Sequence, residues 1–474
     1  MLDDNTVFTS ISTFSGGGIG DLGIEWGQQL PVLSTCELLP DRAALIRHNF
    51  PDTRVFVGDI WSLKDDIIHN AQAKLQGKHP WLFVMSPPCQ GMSSNGAGRI
   101  SRSIKEGKRS KEDVRNRLIL PGLDIVEELL PDWLIIENVP RMENTIIRNE
   151  HDEPENILDL VGRRLIPKGY ILRATVIDFA KLGVPHQRKR LITIGTRLPE
   201  FQYKLFQFPI YSKDPTILHP PYSHLAERNP SPISLREAIG HLPMLDSQSL
   251  LVDPADPLHC IPKWNDMHYR AMKHTPEGQT ALHNNTCTHC QTINQNTDAL
   301  CRECGEPLPK PLVVDTLWTC TDCGTQNKMR HKSCSCGFER TEDCPISTTH
   351  RVVKGFKTSY KRMKWDNTAG TITTNSGVIS SDIKGHPEQH RVLSIRELLI
   401  LSSIQSHPNT THDWDGKYQF FMKPIDESKP SQPCTNKLIR EIIGESIPPL
   451  AMSKIVAHLI SLDNRFTTAK NDSA

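Results

Sequence analysis

The sequence predicts an α/β protein built on an open sheet that is mixed but mostly parallel. Three features carry that expectation. An alternating, β-branched run at 7–14 breaks into glycines and restarts as a helix. Apolar runs at 81–85 and 133–136 stop abruptly at prolines or polar residues, as strands buried on both faces do. A strand–helix rhythm then persists to about residue 200, as parallel connections require.

A length of 474 residues suggests two or three domains with a substantial core. The net charge of +1 excludes a histone-like polycation, yet leaves room for a basic face balanced elsewhere. No apolar run approaches the roughly 18–20 residues that span a bilayer. Residues 1–5 lack the basic-then-apolar pattern of an export signal. Most of the 13 cysteines crowd into one segment. A reduced, cytoplasmic location with bound zinc therefore accounts for them better than a secreted disulfide framework.

After the strand at 7–14, the turn Phe14-Ser15-Gly16-Gly17-Gly18-Ile19-Gly20 leads into a helix. Glycines there let a ligand approach the backbone and leave helix N-terminal amides free. A second strand at 31–38 carries Glu37 near its tip, where such folds hold a ribose by accepting from its hydroxyls. A third at 55–60 carries Asp59 and Ile60, and Asp59 is placed to accept from an adenine amino group. Acceptors at both tips suit an adenosyl ligand better than a pyrophosphate. The strand from Trp81 exits through Pro87 and Pro88, which stiffen the chain and aim the thiol of Cys89. One thiol alone would read as a core cysteine; its neighbours along the chain argue otherwise.

Residues 91–117 form a long polar stretch bearing Arg99, Arg102, Lys105, Lys108, Arg109, Lys111, Arg115 and Arg117. A loop of that length is usually functional or disordered, and its basic side chains suit a lid that closes on a polyanion. A helix follows at 118–130, then a buried strand ending in Glu137 and Asn138. A carboxylic acid after four apolar residues can donate a proton or hydrogen bond to a base ring. Further strands are expected at 170–178 and 190–197. Between them Arg188 and Arg190, at alternate positions, are expected to share a face and fork onto a carboxylate or a base edge.

From about 201 to 390 the rhythm fades and Pro, His and Asn become frequent. Within it Cys287, Cys290, Cys301 and Cys304 repeat as Cys320, Cys323, Cys334 and Cys336, with Asn294 and Asn327 at matching places. Two four-cysteine sets at this spacing predict two tetrahedral structural zinc sites. The tight Cys334-x-Cys336 step leaves Cys344 as an alternative ligand.

Taken together, these motifs resemble a DNA cytosine-5 methyltransferase of the bacterial and archaeal restriction–modification type, in order as well as content. Residues 14–18 are similar to the adenosylmethionine motif, 88–90 to the nucleophile motif, 137–139 to the glutamate motif and 188–190 to the paired-arginine motif. Residues 392–399 resemble the penultimate motif and 443–449 the final one. The resemblance implies a Rossmann-like methyltransferase domain with a seven-stranded sheet, plus a smaller recognition domain. Its boundaries would be a catalytic part at 1–200, target recognition at 201–390 with a zinc insert at 284–344, a return at 391–465 and a flexible tail at 466–474.

It further implies that Cys89 adds to C6 of a flipped cytosine, that Glu137 engages N3, and that Arg190 with Arg188 holds both. Phe14, Ser15, Gly16, Gly18, Gly20, Glu37, Asp59, Ile60, Pro88, Glu445 and Ser446 would line the S-adenosyl-L-methionine site. Double-stranded DNA is the expected substrate of a monomeric enzyme away from any membrane, with a cognate restriction endonuclease as its genetic partner. With no long segment before the first strand, a maintenance enzyme bearing regulatory domains is not expected. Two departures stand out: His186 where the family has Gln, and Glu445-Ser446-Ile447 where it has Asn-Ala-Val. The cysteine repeat, with Trp318 before Cys320, resembles zinc fingers of the Ran-binding-protein type. The insert's place points toward DNA contact, with a protein partner or a bracing role as alternatives. Two other readings stand beside this one: a tRNA cytosine-5 methyltransferase on the same scaffold, and an inactive zinc-dependent nucleic-acid-binding protein.

Overall fold

A computed structural model describes residues 6–88, 113–202, 210–213, 231–273, 275–295, 298–308, 313–329, 331–350, 358–424, 430–463 and 465. Seven strands make one sheet: β1 (Thr6–Thr13), β2 (Val32–Glu37), β3 (Arg54–Val57), β4 (His79–Met85), β5 (Trp133–Asn138), β6 (Ile171–Asp178) and β7 (Lys189–Thr196). Their order is β3-β2-β1-β4-β5-β7-β6. All neighbours pair parallel except β7, which runs antiparallel to both β5 and β6. The chain builds outward from β1 through β2 to β3, then crosses back to β4 on the other side. That reversal opens a crevice beyond the carboxyl ends of β1 and β4, the usual ligand position in such sheets.

The alternation of strand side chains explains two apolar layers. Phe83, Met85, Leu134 and Ile136 pack on one face with helices α3 (Ile60–Leu75), α4 (Ile119–Leu129) and α5 (Ile157–Leu165). Leu82, Val84, Trp133 and Ile135 pack on the other, with α7 (Pro449–Leu462) supplying Ala451, Ile455 and Leu459. Helix α1 (Ile19–Gln28) reaches α7 at close range because Gly23 has no side chain. A Cβ there would stand 2.1 Å from the carbonyl oxygen of Pro449. At the opposite edge of the sheet Trp81 donates to Asp463 (2.8 Å), and Arg465 forks onto Asp463 and Asp132. These bonds tie the C-terminal helix beneath the strands.

The chain forms two compact units. The first holds residues up to Ile239, Thr371–Thr374 and everything from Leu399; the second holds Gly240–Gly370 and Asn375–Leu398. The second unit has a small core around Trp264, Met272, Leu282, Tyr360, Ile379 and Val392. Buried charge supplements it. Arg391 forks onto Glu397 at 2.7 Å with both side chains almost wholly buried. Burial alone would raise the Glu397 carboxyl, but Arg391 beside it holds the group down at about 2. Among the described residues no helix is long and apolar enough to cross a membrane.

Candidate active site and metal centres

The strands bring the glycine turn, the exit through Pro87 and Pro88, Glu137 and Arg190 to one edge of the sheet. At the tip of β1 the chain turns through left-handed backbone at Phe14, Gly16 and Gly18 (φ 60°, 57° and 75°), and Gly18 becomes the N-cap of α1. Phe14 tolerates that conformation at a steric cost glycine avoids. Glu37 at the tip of β2 accepts from the Gly16 N–H and from the Leu39 N–H, both at 2.9 Å. Ser15 is held from below, its hydroxyl within 2.9 Å of Ser12 and 2.5 Å of Thr35. Ser12 in turn donates to Asp21 (3.1 Å). Gly20 lies in the first turn of α1, facing Ile447.

A ligand fits this turn. No atom lies within 4 Å of where a Gly16 side chain would begin, and buried Thr13 has a hydroxyl without a partner among the described residues. Each oxygen of Glu37 accepts one backbone N–H, which leaves lone pairs for ribose hydroxyls. The expected strand at 55–60 is shorter than its sequence suggests. It ends at Val57, after which Asp59 caps α3 by accepting from the Trp61 N–H (3.0 Å) and Ile60 is already helical and buried. A capping aspartate, whose side chain bonds its own helix, outcompetes continuation of the strand. Its second oxygen has no partner among the described residues.

Cys89 and the basic residues from Arg99 to Lys111 lie outside the described residues. The strand exit that leads to Cys89 is described. Pro87 is buried, Pro88 is half-buried, and Asn138 at the tip of β5 donates to the Pro87 carbonyl (3.0 Å). Two of the expected lid cations, Arg115 and Arg117, sit instead on a short 3-10 helix, bonded to Asp113 and to the Asn149 carbonyl.

Glu137, last but one in β5, pairs with Arg190 through Nε–Oε1 at 2.8 Å, both side chains largely buried. Arg188 departs from expectation. It precedes the first ladder pair of β7, so alternation no longer aligns it with Arg190. Its guanidinium instead donates to the carbonyls of Ile372 (3.3 Å), Gly444 (3.2 Å) and Glu445 (3.1 Å). It fastens backbone and does not reach Glu137. His186 explains itself similarly, with Nδ1 against the Leu401 carbonyl at 2.8 Å. A ring N–H donor there can do what an amide would do.

Glu445 ends helix α6 (Asn436–Glu445) and turns its carboxylate onto Arg42 of α2 (Pro40–Asn49), at 2.6 Å. Ser446 caps the same helix, its hydroxyl donating to the Ile443 carbonyl (2.9 Å). Neither side chain is free as a simple cofactor ligand. Sequence reasoning missed Arg42 and Asp21. Arg42 stands alone in a helix without a motif around it. Asp21 follows the glycine turn as an unremarkable first-turn acid, and only the fold buries it.

In the second unit the sulfurs of Cys287, Cys290, Cys301 and Cys304 converge, as do those of Cys320, Cys323, Cys334 and Cys336, each set within 4.8 Å. The closest pairs are 3.4 and 3.6 Å apart in the first set and 3.5 and 3.7 Å in the second. Tetrahedral zinc with Zn–S near 2.3 Å requires sulfurs about 3.8 Å apart, whereas a disulfide requires about 2.05 Å. The donor sets fit zinc. Left-handed residues (Gln291, Gly305, Gly324 and Gly337) close the four knuckle turns. Asn294 donates toward the Cys301 sulfur (3.5 Å) and accepts from the Arg302 N–H (2.8 Å), which gives the repeated asparagine a role. Cys344 lies outside the second set, buried against Trp318 with its sulfur facing the Thr341 N–H (3.4 Å). The short Cys334-x-Cys336 step completes that set unaided.

Comparison with known proteins gives a consistent picture. Residues 8–461 match the family model described as C-5 cytosine-specific DNA methylase. The Type II methyltransferase M1.HgaI of Avibacterium volantium is 26% identical over 470 residues, covering 95% of this chain and 98% of that protein. The Type II methyltransferase M.AquIA of Picosynechococcus is 32% identical over 206 residues, 42% of this chain and 74% of the relative. A solved structure of a candidate DNA modification methyltransferase from an E. coli prophage superposes with a TM-score of 0.51. It is 15% identical and covers 96% of this chain and 99% of its own, so it speaks for the fold alone.

Two outcomes are expected from this geometry. Burial pushes the Asp21 carboxyl from 3.8 up to about 7, against the opposing hydrogen bonds of Ser12 and Ser15. The folded state therefore prefers the protonated acid, so the stability it contributes is full below about pH 4 and lost as pH rises through 7. Asp21→Asn should flatten that slope and stabilise the protein at pH 8 by a few kcal/mol, on the order of 1.4 per pKa unit; equilibrium unfolding across pH 4–8 checks it, and an unchanged slope contradicts it. Separately, stripping metal with a strong chelator should open residues 284–344 to protease while leaving the seven-stranded unit resistant. Each zinc contributes roughly 10 kcal/mol or more to such a site, so an unchanged digestion pattern would exclude metal from the cysteine sets.

Proposed function

Because the chain belongs to the C-5 cytosine-specific DNA methylase family, we propose that it methylates C5 of a cytosine flipped out of a specific duplex sequence. In this reading the enzyme uses S-adenosyl-L-methionine and protects host DNA beside a cognate endonuclease. The observation that carries the reading is the Glu137–Arg190 pair, set beside the strand exit that Asn138 holds two residues before Cys89.

The chemistry follows from these groups. The Cys89 thiolate adds to C6, breaking the C5–C6 double bond and moving electron density to C5. Free thiols have a pKa near 8.5, so only a few per cent is nucleophilic at pH 7 unless the site helps. Glu137 hydrogen-bonds or protonates N3, which draws charge off the ring, and Arg190 keeps that carboxyl turned toward the base. Bound adenosylmethionine supplies an electrophilic methyl group for C5. Solvent water then takes the C5 proton, the electron pair left behind re-forms the C5–C6 double bond, and Cys89 departs as thiolate, which restores the aromatic ring. Flipping the base costs a few kcal/mol of unstacking, which contacts from the basic loop and the second unit would offset. We assign target recognition to that second unit, with two zinc ions as structural braces. The Type II names of the relatives support a restriction–modification setting.

Glu137→Gln should lower single-turnover methyl transfer by about 10²–10⁴-fold, the usual worth of a general acid, with duplex binding retained; a rate within twofold of wild type would remove Glu137 from the mechanism. Bisulfite sequencing of DNA from cells expressing the protein tests the function as a whole. Protected cytosines should recur in one sequence context. Fully converted DNA, with labelled methyl groups found on tRNA, would overturn the reading.

A further inference from the structure

Between two sites at the sheet edge lies a set of polar contacts that the proposed chemistry does not use. It starts beside the glycine turn, where Glu37 sits on the Gly16 N–H. Burial raises the Glu37 carboxyl, while Arg42 lowers it and Glu445 raises it further. The Leu39 N–H donates to Glu37 (2.9 Å) and the Leu39 carbonyl accepts from the Arg42 N–H (3.1 Å). Arg42 is thus tied through Leu39 to the carboxylate at the turn and through its guanidinium to Glu445 on the C-terminal segment. It pairs with Glu445 at 2.6 Å, and its side chain is 15% exposed.

The main chain of the same segment is held from the other side. The carbonyls of Gly444 and Glu445 accept from Arg188, and a Gly444 side chain would collide with the backbone at Thr373 and Thr374 (2.3–2.7 Å). Residues 444–445 thus have little freedom to shift. Arg188 is two residues from Arg190, and its backbone is fixed by Asp178 accepting from the Arg188 N–H (3.2 Å). Arg190 in turn grips Glu137.

We propose that Arg42, Glu445 and Arg188 are positioning residues that link the cofactor turn to the Glu137–Arg190 pair. Glu445, in this assignment, acts on the cofactor site through Arg42 and on the base site through the backbone that Arg188 holds. The inference rests on the proposed methyltransferase function. It adds that the two half-sites are coupled, so that damage to the link is felt at both.

The test uses the full-length, zinc-loaded protein and two readouts: S-adenosylhomocysteine affinity by calorimetry, and single-turnover methyl transfer at saturating cofactor. Arg42→Gln and Glu445→Gln should each weaken affinity about 5- to 20-fold, the size of a typical coupling between sites, and each should also slow transfer by a similar factor. The double variant should be no worse than the poorer single one, because both remove one contact. Lys437→Gln, which breaks the exposed Lys437–Glu441 pair on the same helix (3.8 Å), should change neither readout. Additive losses, or weakened binding with an unchanged saturated rate, would overturn the coupling. Melting temperatures within a few degrees of wild type would separate these effects from misfolding. A wild-type protein that binds no S-adenosylhomocysteine would instead count against the proposed function itself.

Discussion

The structure depends on one strand running the wrong way. In a parallel sheet every strand delivers its carboxyl end to the ligand edge, so each offers only the residues that finish it. Strand β7, antiparallel between β5 and β6, delivers its amino end instead. That reversal puts Arg190 against Glu137, the last residue but one of β5. A parallel β7 would leave the arginine at the far edge of the sheet and the carboxyl without its partner. The same reversal brings Arg188 to the C-terminal segment, which it fastens by the carbonyls of Gly444 and Glu445.

The two units solve the problem of stability differently. The first buries both faces of its sheet under helices, with large apolar layers. The second has few apolar residues to bury and relies on ionic bolts such as Arg391–Glu397 and on Arg362, which donates to the carbonyls of Thr275, Met272, His386 and Gln389. Breaking such a buried pair typically costs 3–5 kcal/mol. The two cysteine sets fit the same pattern, since a bound ion can replace a core that the sequence does not provide.

Much of this was legible in the sequence, for physical reasons. Strands buried on both faces advertise themselves as uninterrupted apolar runs, so β4 and β5 were plain. Cysteine spacing is set by zinc geometry, and the eight sulfurs converge as expected. The Glu137–Arg190 partnership was legible through motif order. What could not be read was competition between local and distant partners. Asp59 could end a strand or cap a helix, and the cap won. Arg188 and Arg190 look equivalent by alternation, yet only a ladder register decides where alternation begins. Arg42 acquires meaning only when α2 and the end of α6 meet, more than 400 residues apart in sequence.

In the proposed mechanism the thiol after Pro88 attacks the same pyrimidine that Glu137 engages. Duplex DNA carrying 5-fluorocytosine in the recognised sequence has no removable proton at C5, so it should arrest the reaction as a covalent complex. Peptide mapping of that complex should find the modified base on Cys89 after methyl transfer. Adduct on a different cysteine, or methylated product released with no adduct, would contradict the account.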